Sequence, residues 1–293
     1  MRSQKKIIDS WTNKSVGVDI ICHCYNQEKT ISLAIDSFLM QVTNFRINIL
    51  IHDDYSNDHT REILQKYKKK YPKLITLILA KANQWSLGKK MIGITFPFAK
   101  EKYIALCDGD DMWCDAHKLQ KQVDFLEKNA NFIVCYTDIK IIGKKNDFLY
   151  DHEYSRLDLL KAKPILISSI CFRNAISLPI DFFNCEGGPG DLFLFSLLGE
   201  RGRGKKILGI KPTVYRKHKH NVFGTKEWDY RSRKKIITYR ALAKYHSKRS
   251  TYLKIFFNWK IAECCLIIIL CKLNINIDRL RDYWRFFKRN LKP

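Results

Sequence analysis

The stretch Leu106–Trp113, LCDGDDMW, decides both the fold and the chemistry that this sequence predicts. Three carboxylates, Asp108, Asp110 and Asp111, follow the apolar run Tyr103–Cys107, which predicts a buried strand. Carboxylates crowded at a strand end repel one another unless a cation neutralises them, so the pattern indicates a site for Mg²⁺ or Mn²⁺. Such an ion keeps positions open for phosphate oxygens, which favours a diphosphate-bearing substrate. The alternative is a solvated turn, because Asp and Gly both favour turns.

Short β-rich runs alternate with helical patterns over residues 16–137, which is typical of βαβ units on a mainly parallel sheet. The predicted strands are Val16–Cys24, Ile47–Ile51, Leu74–Ala80, Tyr103–Cys107 and Phe132–Thr137, and the predicted helices are Thr30–Met40, Thr60–Lys70 and Lys118–Lys128. Asp58 fits the N-cap of the second helix. In such sheets the ligand lies outside the carboxyl ends of the strands. The acidic clusters Asp53–Asp54 and Asp108–Asp111 are therefore expected to share one site.

The remaining segments have weaker patterns. We expect residues 138–185 to be rich in β-structure around the apolar run Ile165–Phe172, and long helices from Lys226 onward. The sequence contains neither G-x-G-x-x-G after the first strand nor G-x-x-x-x-G-K-[ST]. Their absence argues against a dinucleotide-dependent oxidoreductase and a P-loop NTPase.

Positive charge is concentrated in the tail. Residues 201–293 contain 26 Lys and Arg against five Asp and Glu, whereas residues 1–200 contain 27 against 24. Aromatic and aliphatic residues are interleaved with these cations, as in helices that lie on a membrane face. We expect an anionic surface as partner, either phospholipid headgroups or nucleic acid. The alternatives are a merely solvated basic face and a helical cap that packs on the sheet.

Cysteine usage and hydropathy predict the compartment. The ten cysteines show no C-x-x-C spacing, so we expect reduced thiols and a cytosolic protein. The N-terminal segment has no apolar core after its basic residues, so no signal peptide is expected. The longest wholly apolar run, Cys264–Cys271, is far shorter than the roughly 20 residues that cross a bilayer, so no membrane span is expected.

Five ordered motifs, the last of them in two segments, resemble those of the family 2 glycosyltransferases of the GT-A type over roughly residues 16–225. They are ICHCYNQEKTISLAIDSFLMQ (21–41), ILIHDDYSNDHTREIL (49–64), NQWSLGKK (83–90), LCDGDDMWCDAHKLQKQVDFLE (106–127), and the late acidic segment GGPGDLFLFSLLGERGRGKKI (187–207) with VYRKHKHNVFG (214–224). The chain departs from the usual pattern at His23 and Cys24, where Pro-Thr is common, at His59, where Gly is usual, and in the Lys/His-rich stretch 217–220.

The resemblance implies a GT-A type, Rossmann-like α/β fold whose mainly parallel sheet is flanked by helices. Residues 1–225 would be the catalytic domain and residues 226–293 a basic helical C-terminal extension. The implied enzyme is an inverting, metal-dependent glycosyltransferase that uses a nucleotide-sugar, most simply a UDP-sugar. Its acceptor would be a hydroxyl of a surface polysaccharide or lipopolysaccharide, or of a lipid-linked saccharide, at the inner face of the plasma membrane, where the enzyme is cytoplasmic and peripheral.

The resemblance also implies roles for individual residues. Asp191 would be the catalytic base, Asp110 and Asp111 would hold Mg²⁺ or Mn²⁺, and the nucleotide-sugar would contact Tyr25, Asn26, Asp54, Asn83, Asp108, Asp110, Arg216 and His218. Tyr25 offers an apolar platform for a base and Asp54 an acceptor for its imide N–H. Arg216, His218 and, less strongly, His220 could donate hydrogen bonds to a diphosphate.

Structural alternatives stay open for these residues. Asp191 could cap a helix over Leu192–Leu198, Tyr25 could simply pack at a strand end, and Asp54 could be a turn residue. Trp85 and Trp113 could line a sugar site or only pack.

Two other classes of protein also stay open. One is a basic nucleic-acid-binding protein, although no nucleic acid is expected for the glycosyltransferase. The other is a different metal-dependent enzyme of nucleoside diphosphates, such as a nucleotidyltransferase.

Overall fold

The computed structural model describes residues 2–142, 150–183, 186–217 and 227–273, together with 275 and 277. The chain forms two compact units. The first unit contains Met1–Phe183 and Gly190–Lys217, and the second contains Asn184–Pro189 and His218–Pro293. The domain boundary predicted between 225 and 226 falls at residues 218–226, which lie outside the described residues.

The first unit contains ten strands and eight α-helices within its described residues. The strands are β1 (Asn13–Cys24), β2 (Phe45–Asp53), β3 (Ile75–Leu79), β4 (Tyr103–Leu106), β5 (Phe132–Tyr136), β6 (Ile139–Ile142), β7 (Glu153–Tyr154), β8 (Cys171–Arg173), β9 (Arg203–Lys206) and β10 (Thr213–Arg216). The helices are α1 (Gln4–Ile8), α2 (Ile31–Leu39), α3 (Thr60–Lys70), α4 (Met91–Thr95), α5 (Lys118–Lys128), α6 (Arg156–Leu160), α7 (Ile180–Phe183) and α8 (Gly190–Arg201). Two 3₁₀ turns, Phe96–Phe98 and Ile167–Ser169, complete it.

Eight strands form one sheet in the order β3-β2-β1-β4-β8-β5-β9-β7, and β10 pairs with β6 in a separate two-stranded sheet. Strands β1 to β4 are mutually parallel, and so are β5 and β9, whereas β8 and β7 run antiparallel to their neighbours. β1 is buried on both faces from Val16 to Cys22, as expected of a central parallel strand covered by helices. The predicted mainly parallel α/β sheet is therefore confirmed.

The five predicted strands and three predicted helices all form, with ends that differ by a few residues. Residues 138–185 differ from the expectation of a β-rich segment. Their described part contains three short strands, the helices α6 and α7, and a 3₁₀ turn within the apolar run Ile165–Phe172. Elements of two to five residues are too short to show a hydrophobic period, so the pattern could not separate them.

The start of α3 also differs slightly from the expectation. His59, not Asp58, is the N-cap residue. Asp58 still performs the chemistry of a cap, because its carboxylate accepts hydrogen bonds from the backbone N–H of Thr60 (2.9 Å) and of Glu28 (3.1 Å). These bonds keep the pKa of Asp58 below its usual value although partial burial opposes them.

A buried lysine lies in the core beside β4. Lys118 is 1% exposed, its ammonium lies 4.3 Å from the centre of the Trp113 ring, and its Nζ donates a 2.7 Å hydrogen bond to Gln122. Burial lowers the pKa of Lys118 to about 8. Trp113 is 1% exposed, packs 4.9 Å from Phe38 and donates its indole N–H to the carbonyl of Ser168. Of the two alternatives left open for Trp113, packing is the one that the structure supports, because its ring belongs to the core.

The second unit is helical in its described residues, which confirms the predicted helical extension. It contains α9 (Trp228–His246) and α10 (Thr251–Lys272), which pack along each other. The Phe257 ring stacks 5.8 Å from His246, and burial lowers the pKa of His246 to about 4. None of the helices in the described ranges is both long enough and apolar enough to cross a membrane.

A close contact between α6 and α8 gives a test of the packing of the first unit. A Cβ on Gly199 would lie 2.9 Å from the carbonyl carbon of Leu159 and 3.0 Å from the carbonyl oxygen of Arg156, and closer still to the amide nitrogen of Leu160. All three atoms are backbone, so the helices must separate. Gly199→Ala should lower the free energy of unfolding by about 1–3 kcal/mol in urea titration, whereas Arg201→Ala, at the exposed end of α8, should change it by less than about 0.5 kcal/mol. Equal stabilities would show that the contact is not close.

Candidate active site

Four loops meet at the carboxyl edge of the parallel strands. In the sheet register Cys24 lies beside Asp53, and Asp53 lies beside Leu79, so β1, β2 and β3 end together. β4 ends at Leu106, which pairs with Ile21 of β1. The loops 25–30, 54–59, 80–90 and 107–117 therefore leave the sheet side by side. Asp54 and Asp108–Asp111 lie on them, and Asp53 is the last residue of β2.

The loops after β1 and β2 are joined through Asn26. This residue has a positive φ of 50°, its N–H donates to Ser56 Oγ (2.9 Å), and its side-chain Oδ1 accepts from the N–H of Asn57 (2.9 Å). Asn adopts this conformation more readily than most residues. The neighbouring Tyr25 is 45% exposed, so its ring is not a packed strand-end aromatic and remains accessible to a ligand.

Asp54 shapes the loop after β3. It is 4% exposed, and its two carboxylate oxygens accept from the backbone N–H of Gln84 (2.6 Å) and of Trp85 (3.0 Å). Asn83 caps the same turn, because its Oδ1 accepts from the N–H of Ser86 and its Nδ2 donates to the carbonyl of Asp54. Asp54 and Asn83 thus lie together beside the loop of Tyr25, where they hold the 83–86 turn in place.

The sequence placed Asp53 in an acidic cluster of the site and gave no role to Arg61, but the structure joins these two residues in an ion pair. Asp53 is fully buried, and Arg61 Nε donates to its Oδ2 at 2.5 Å. The same guanidinium donates to the carbonyl of Ala80 and lies 5.2 Å from the Tyr55 ring centre. The pair ties the ends of β2 and β3 to α3. The signal that could have indicated it is the spacing of eight residues from a strand-end Asp to an Arg in the first turn of the following helix.

The carboxylate loop, residues 108–111, is anchored to β1 through His23. His23 Nδ1 lies 3.3 Å from the Asp108 carboxylate, and its carbonyl accepts from the N–H of Gly109 (2.9 Å). A Cβ on Gly109 would lie 2.8 Å from Ile31 Cδ1 and closer still to Gln27 Oε1. Only a residue without a side chain lets the carboxylate loop approach β1 and α2 this closely.

Asp111 is a buried carboxylate with a raised pKa. It is 3% exposed, and burial first, then Asp110 and Asp108, raise its pKa well above the usual value. Ser168 and the backbone N–H of Arg216, 3.1 Å from Asp111 Oδ1, lower it in part. A cation bound here would offset the repulsion that remains.

Arg216 supports the carboxylate loop from β10. Its guanidinium donates to the carbonyl of Asp110 (2.9 Å) and to Met112 Sδ (3.2 Å), and Met112 forms an antiparallel bridge with Val214. Arg216 therefore lies next to the predicted metal ligands, and these contacts hold their loop. His218 and His220 lie outside the described residues.

Asp191 lies in the first turn of α8, which begins at Gly190, so it is not the N-cap of a helix over 192–198. Its Oδ1 accepts from the N–H of Leu192 (2.8 Å). Gly190 packs against Lys90 and Ile92, where its Cβ would lie 3.3 Å from Lys90 Cδ.

Helix α4 connects this end of α8 to the carboxylate loop. It follows Lys90 directly and ends at Thr95, whose Oγ1 lies 3.1 Å from His23 Nε2. The ring of His23 thus contacts Thr95 with one nitrogen and Asp108 with the other. At about 1.5 Å per residue, the five residues of α4 separate its two ends by only about 8 Å. Sequence reasoning missed this connection, because α4 is too short to show a period.

The oxygen donors of the carboxylate loop fit a hard divalent cation. No three His, Cys, Asp or Glu side chains in the described part of the chain form a complete metal cage. Mg²⁺ is commonly held by only one or two carboxylates, with substrate phosphates and water as its other ligands. Asp110 and Asp111 supply that number, and burial first, then the charges of Asp110 and Asp108, raise the pKa of Asp111.

Comparison with known proteins shows the family of the chain. The model of glycosyl transferase family 2 matches residues 19–178. The uncharacterized protein Rv1520 of Mycobacterium tuberculosis is 31% identical over 231 residues, which are 73% of this chain and 62% of that protein. The chain thus spans less than two thirds of the length of this relative.

Two further proteins carry names that describe chemistry. WfgD of Escherichia coli, a UDP-Glc:alpha-D-GlcNAc-diphosphoundecaprenol beta-1,3-glucosyltransferase, is 34% identical over 44% of this chain and 48% of its own. The structure of S. aureus TarS 1-349 in complex with UDP-GlcNAc superposes with a TM-score of 0.57 and 14% identity, over 86% of this chain and 81% of that one. The chain, which carries the family's acidic loops at the carboxyl edge of a GT-A sheet, belongs to glycosyl transferase family 2.

Proposed function

We propose that this glycosyltransferase is an inverting, metal-dependent enzyme that moves a sugar from a nucleotide-sugar, most simply a UDP-sugar, to a hydroxyl of a surface glycan or lipid-linked saccharide. One observation carries the proposal. Helix α4 connects the carboxylate loop, through Thr95 and His23, to the helix end that carries Asp191. One short helix therefore connects the carboxylate loop, which would hold the metal and the diphosphate, with Asp191, the proposed base.

The donor nucleotide binds at the loops after β1, β2 and β3. The exposed ring of Tyr25 offers a platform for the base, as aromatic faces do for planar ligands. Asp54 and Asn83 build the adjoining turn, and the remaining lone pairs of the Asp54 carboxylate are acceptors for an imide N–H. Asn26 fixes the spacing between the two loops.

The diphosphate of the donor lies at the carboxylate loop. Asp110 and Asp111 would hold Mg²⁺ or Mn²⁺ there, and Arg216 and His23 keep the loop in place. When bound, the divalent ion neutralises the charge that the leaving diphosphate gains. Asp108, held by His23, faces the same ligand.

Asp191 takes the proton of the acceptor hydroxyl. Inversion needs a carboxylate on the side of the sugar opposite to the leaving group, and general bases of this kind contribute about 10²- to 10⁴-fold in rate. Asp191 lies in the first turn of α8, where the partial positive charge of the helix N-terminus attracts a carboxylate.

The name of one relative supports the proposed acceptor and location. WfgD is named for transfer to a diphosphoundecaprenol-linked sugar, and a related acceptor here would place the enzyme at the cytoplasmic face of the plasma membrane as a peripheral protein. The biosynthesis of surface polysaccharide or lipopolysaccharide is then the process it serves.

The base assignment is tested with Asp191→Asn. The amide keeps the shape of the side chain but not its basic oxygen, so turnover should fall roughly 10²-fold or more. The Kd for the nucleotide should change less than about twofold, because the proposed nucleotide contacts are on other loops. Turnover and Kd are measured by product release and calorimetry, with Asp124→Asn on the exposed face of α5 as the matched control. If the variant transfers sugar at the parent rate, Asp191 is not the base and serves only in the first turn of α8.

The metal assignment is tested by thermal stabilisation. Uridine diphosphate should raise the Tm of the parent more with Mn²⁺ than with EDTA, because the ion joins the ligand to Asp110 and Asp111. Asp111→Asn should remove that difference, and Asp124→Asn should retain it. If EDTA and Mn²⁺ give the parent equal shifts, the metal is not part of nucleotide binding.

The connection through α4 is tested with Thr95→Val, which keeps the shape of the side chain but removes the contact with His23. One lost hydrogen bond of about 1 kcal/mol should lower kcat roughly fivefold with little change in KM, if α4 positions the reacting groups rather than the donor. Thr76→Val, on the exposed face of β3, is the control. An unchanged kcat with a lowered Tm would show that Thr95 is only a packing residue.

A further inference from the structure

One face of α10 exposes an apolar stripe along nearly the whole helix. The stripe consists of residues that are between 53% and 64% exposed: Tyr252, Ile255, Trp259, Leu266, Ile269 and Leu273. The exposed Ala262 lies within it. Large apolar side chains usually occur singly on a surface, so a continuous row marks an interaction site.

The spacing places all these side chains on one face. The intervals along the stripe are three or four residues, or seven across Ala262, which is the repeat of a helix face. A different stripe of the same helix, Leu253, Phe257 and Cys264, is the buried one, and Phe257 stacks on Tyr239 and His246 of α9. Helix α10 therefore has two apolar faces, and α9 covers only one of them.

The charges around the stripe are mostly positive. Residues 227–273 contain eleven Lys and Arg against three Asp and Glu. Exposed cations stand at both ends, with Lys248, Arg249 and Lys254 at the beginning and Lys272 at the end. The acidic residue of α10, Glu263, forms an ion pair with Lys260. An apolar row with cations at its ends is complementary to a bilayer surface that contains anionic lipid.

The residues beside the apolar stripe disfavour a second copy of this chain as its binding partner. Two-stranded coiled coils use opposite charges beside the apolar seam to select the partner. The positions beside this seam are mostly uncharged, namely Phe256, Asn258, Glu263, Cys265, Leu270 and Lys272. The charges within α10 also prevent it from crossing the bilayer, and over its 22 residues the helix extends about 33 Å.

We infer that the outward face of α10 lies in the headgroup region of a bilayer that contains anionic lipid, with its aromatic and aliphatic side chains at the acyl boundary. This inference rests on the proposed function in one respect: the membrane contact would hold the enzyme where a lipid-linked acceptor is found. The contact itself needs only the residues of the second unit.

The test is flotation of the whole chain with vesicles of phosphatidylcholine, with and without phosphatidylglycerol. The chain should float with the anionic vesicles and be released as salt rises, because salt screens the cationic ends. Ile255→Glu combined with Trp259→Glu should lower the floated fraction at least tenfold, which is roughly the effect of removing two apolar anchors. Leu208→Glu replaces an equally exposed apolar residue of the first unit and should leave flotation unchanged.

A second pair of substitutions, Leu266→Glu with Ile269→Glu, should give the same loss, and circular dichroism should show unchanged helix content in both pairs. Flotation of either pair at the parent level overturns the inference, and so does a parent chain that binds RNA but no vesicles. A parent dimer that the substitutions dissociate, without vesicle binding, would assign the stripe to a second copy.

Transfer to a soluble saccharide should survive in both pairs of substitutions. If the parent chain lacks this activity, the result counts against the proposed function alone.

Discussion

Repulsion among carboxylates at the end of β4 is the constraint on which the site depends. Asp111 is buried beside Asp110 and Asp108, and burial first, then these two carboxylates, raise its pKa well above the usual value. The carboxylate loop keeps its shape because neutral and cationic groups bind it from outside. Arg216 donates to its backbone, and His23 contacts Asp108. In the proposed function, a cation that arrives with a diphosphate would complete the balance, so that donor binding and charge neutralisation would be one event.

The parallel sheet is what allows such a loop to be built. Strands β1 to β4 end along one edge, so each following loop can be tied to the next by backbone hydrogen bonds. Asp53 and Asp54 make different contacts of this kind. Asp53 points into the protein and binds Arg61, whereas Asp54 accepts two N–H groups from the loop after β3. Adjacent residues at a strand end point to opposite sides, so two neighbouring carboxylates can serve two different structures.

Much of this edge could be predicted from the sequence, because apolar runs that end in Asp predict both the strand and the site. The contacts that depend on distant residues could not. Trp113 follows the carboxylate loop directly, yet its ring turns into the core onto Lys118. The relation of Thr95 to His23 joins residues 72 positions apart through a five-residue helix. Short elements have no period, and a polar contact across the fold leaves no local pattern.

Two lysines among the described residues of the first unit are buried, and both lie over aromatic rings. Lys118 lies under the carboxylate loop, where the Trp113 ring and the Gln122 amide stabilise its charge although burial lowers its pKa to about 8. Lys90, 7% exposed, lies over the Phe182 ring beside the start of α8. An aromatic face attracts a cation without adding a competing negative charge. These ring contacts therefore stabilise two lysines within the first unit, one next to Trp113 and one beside the start of α8.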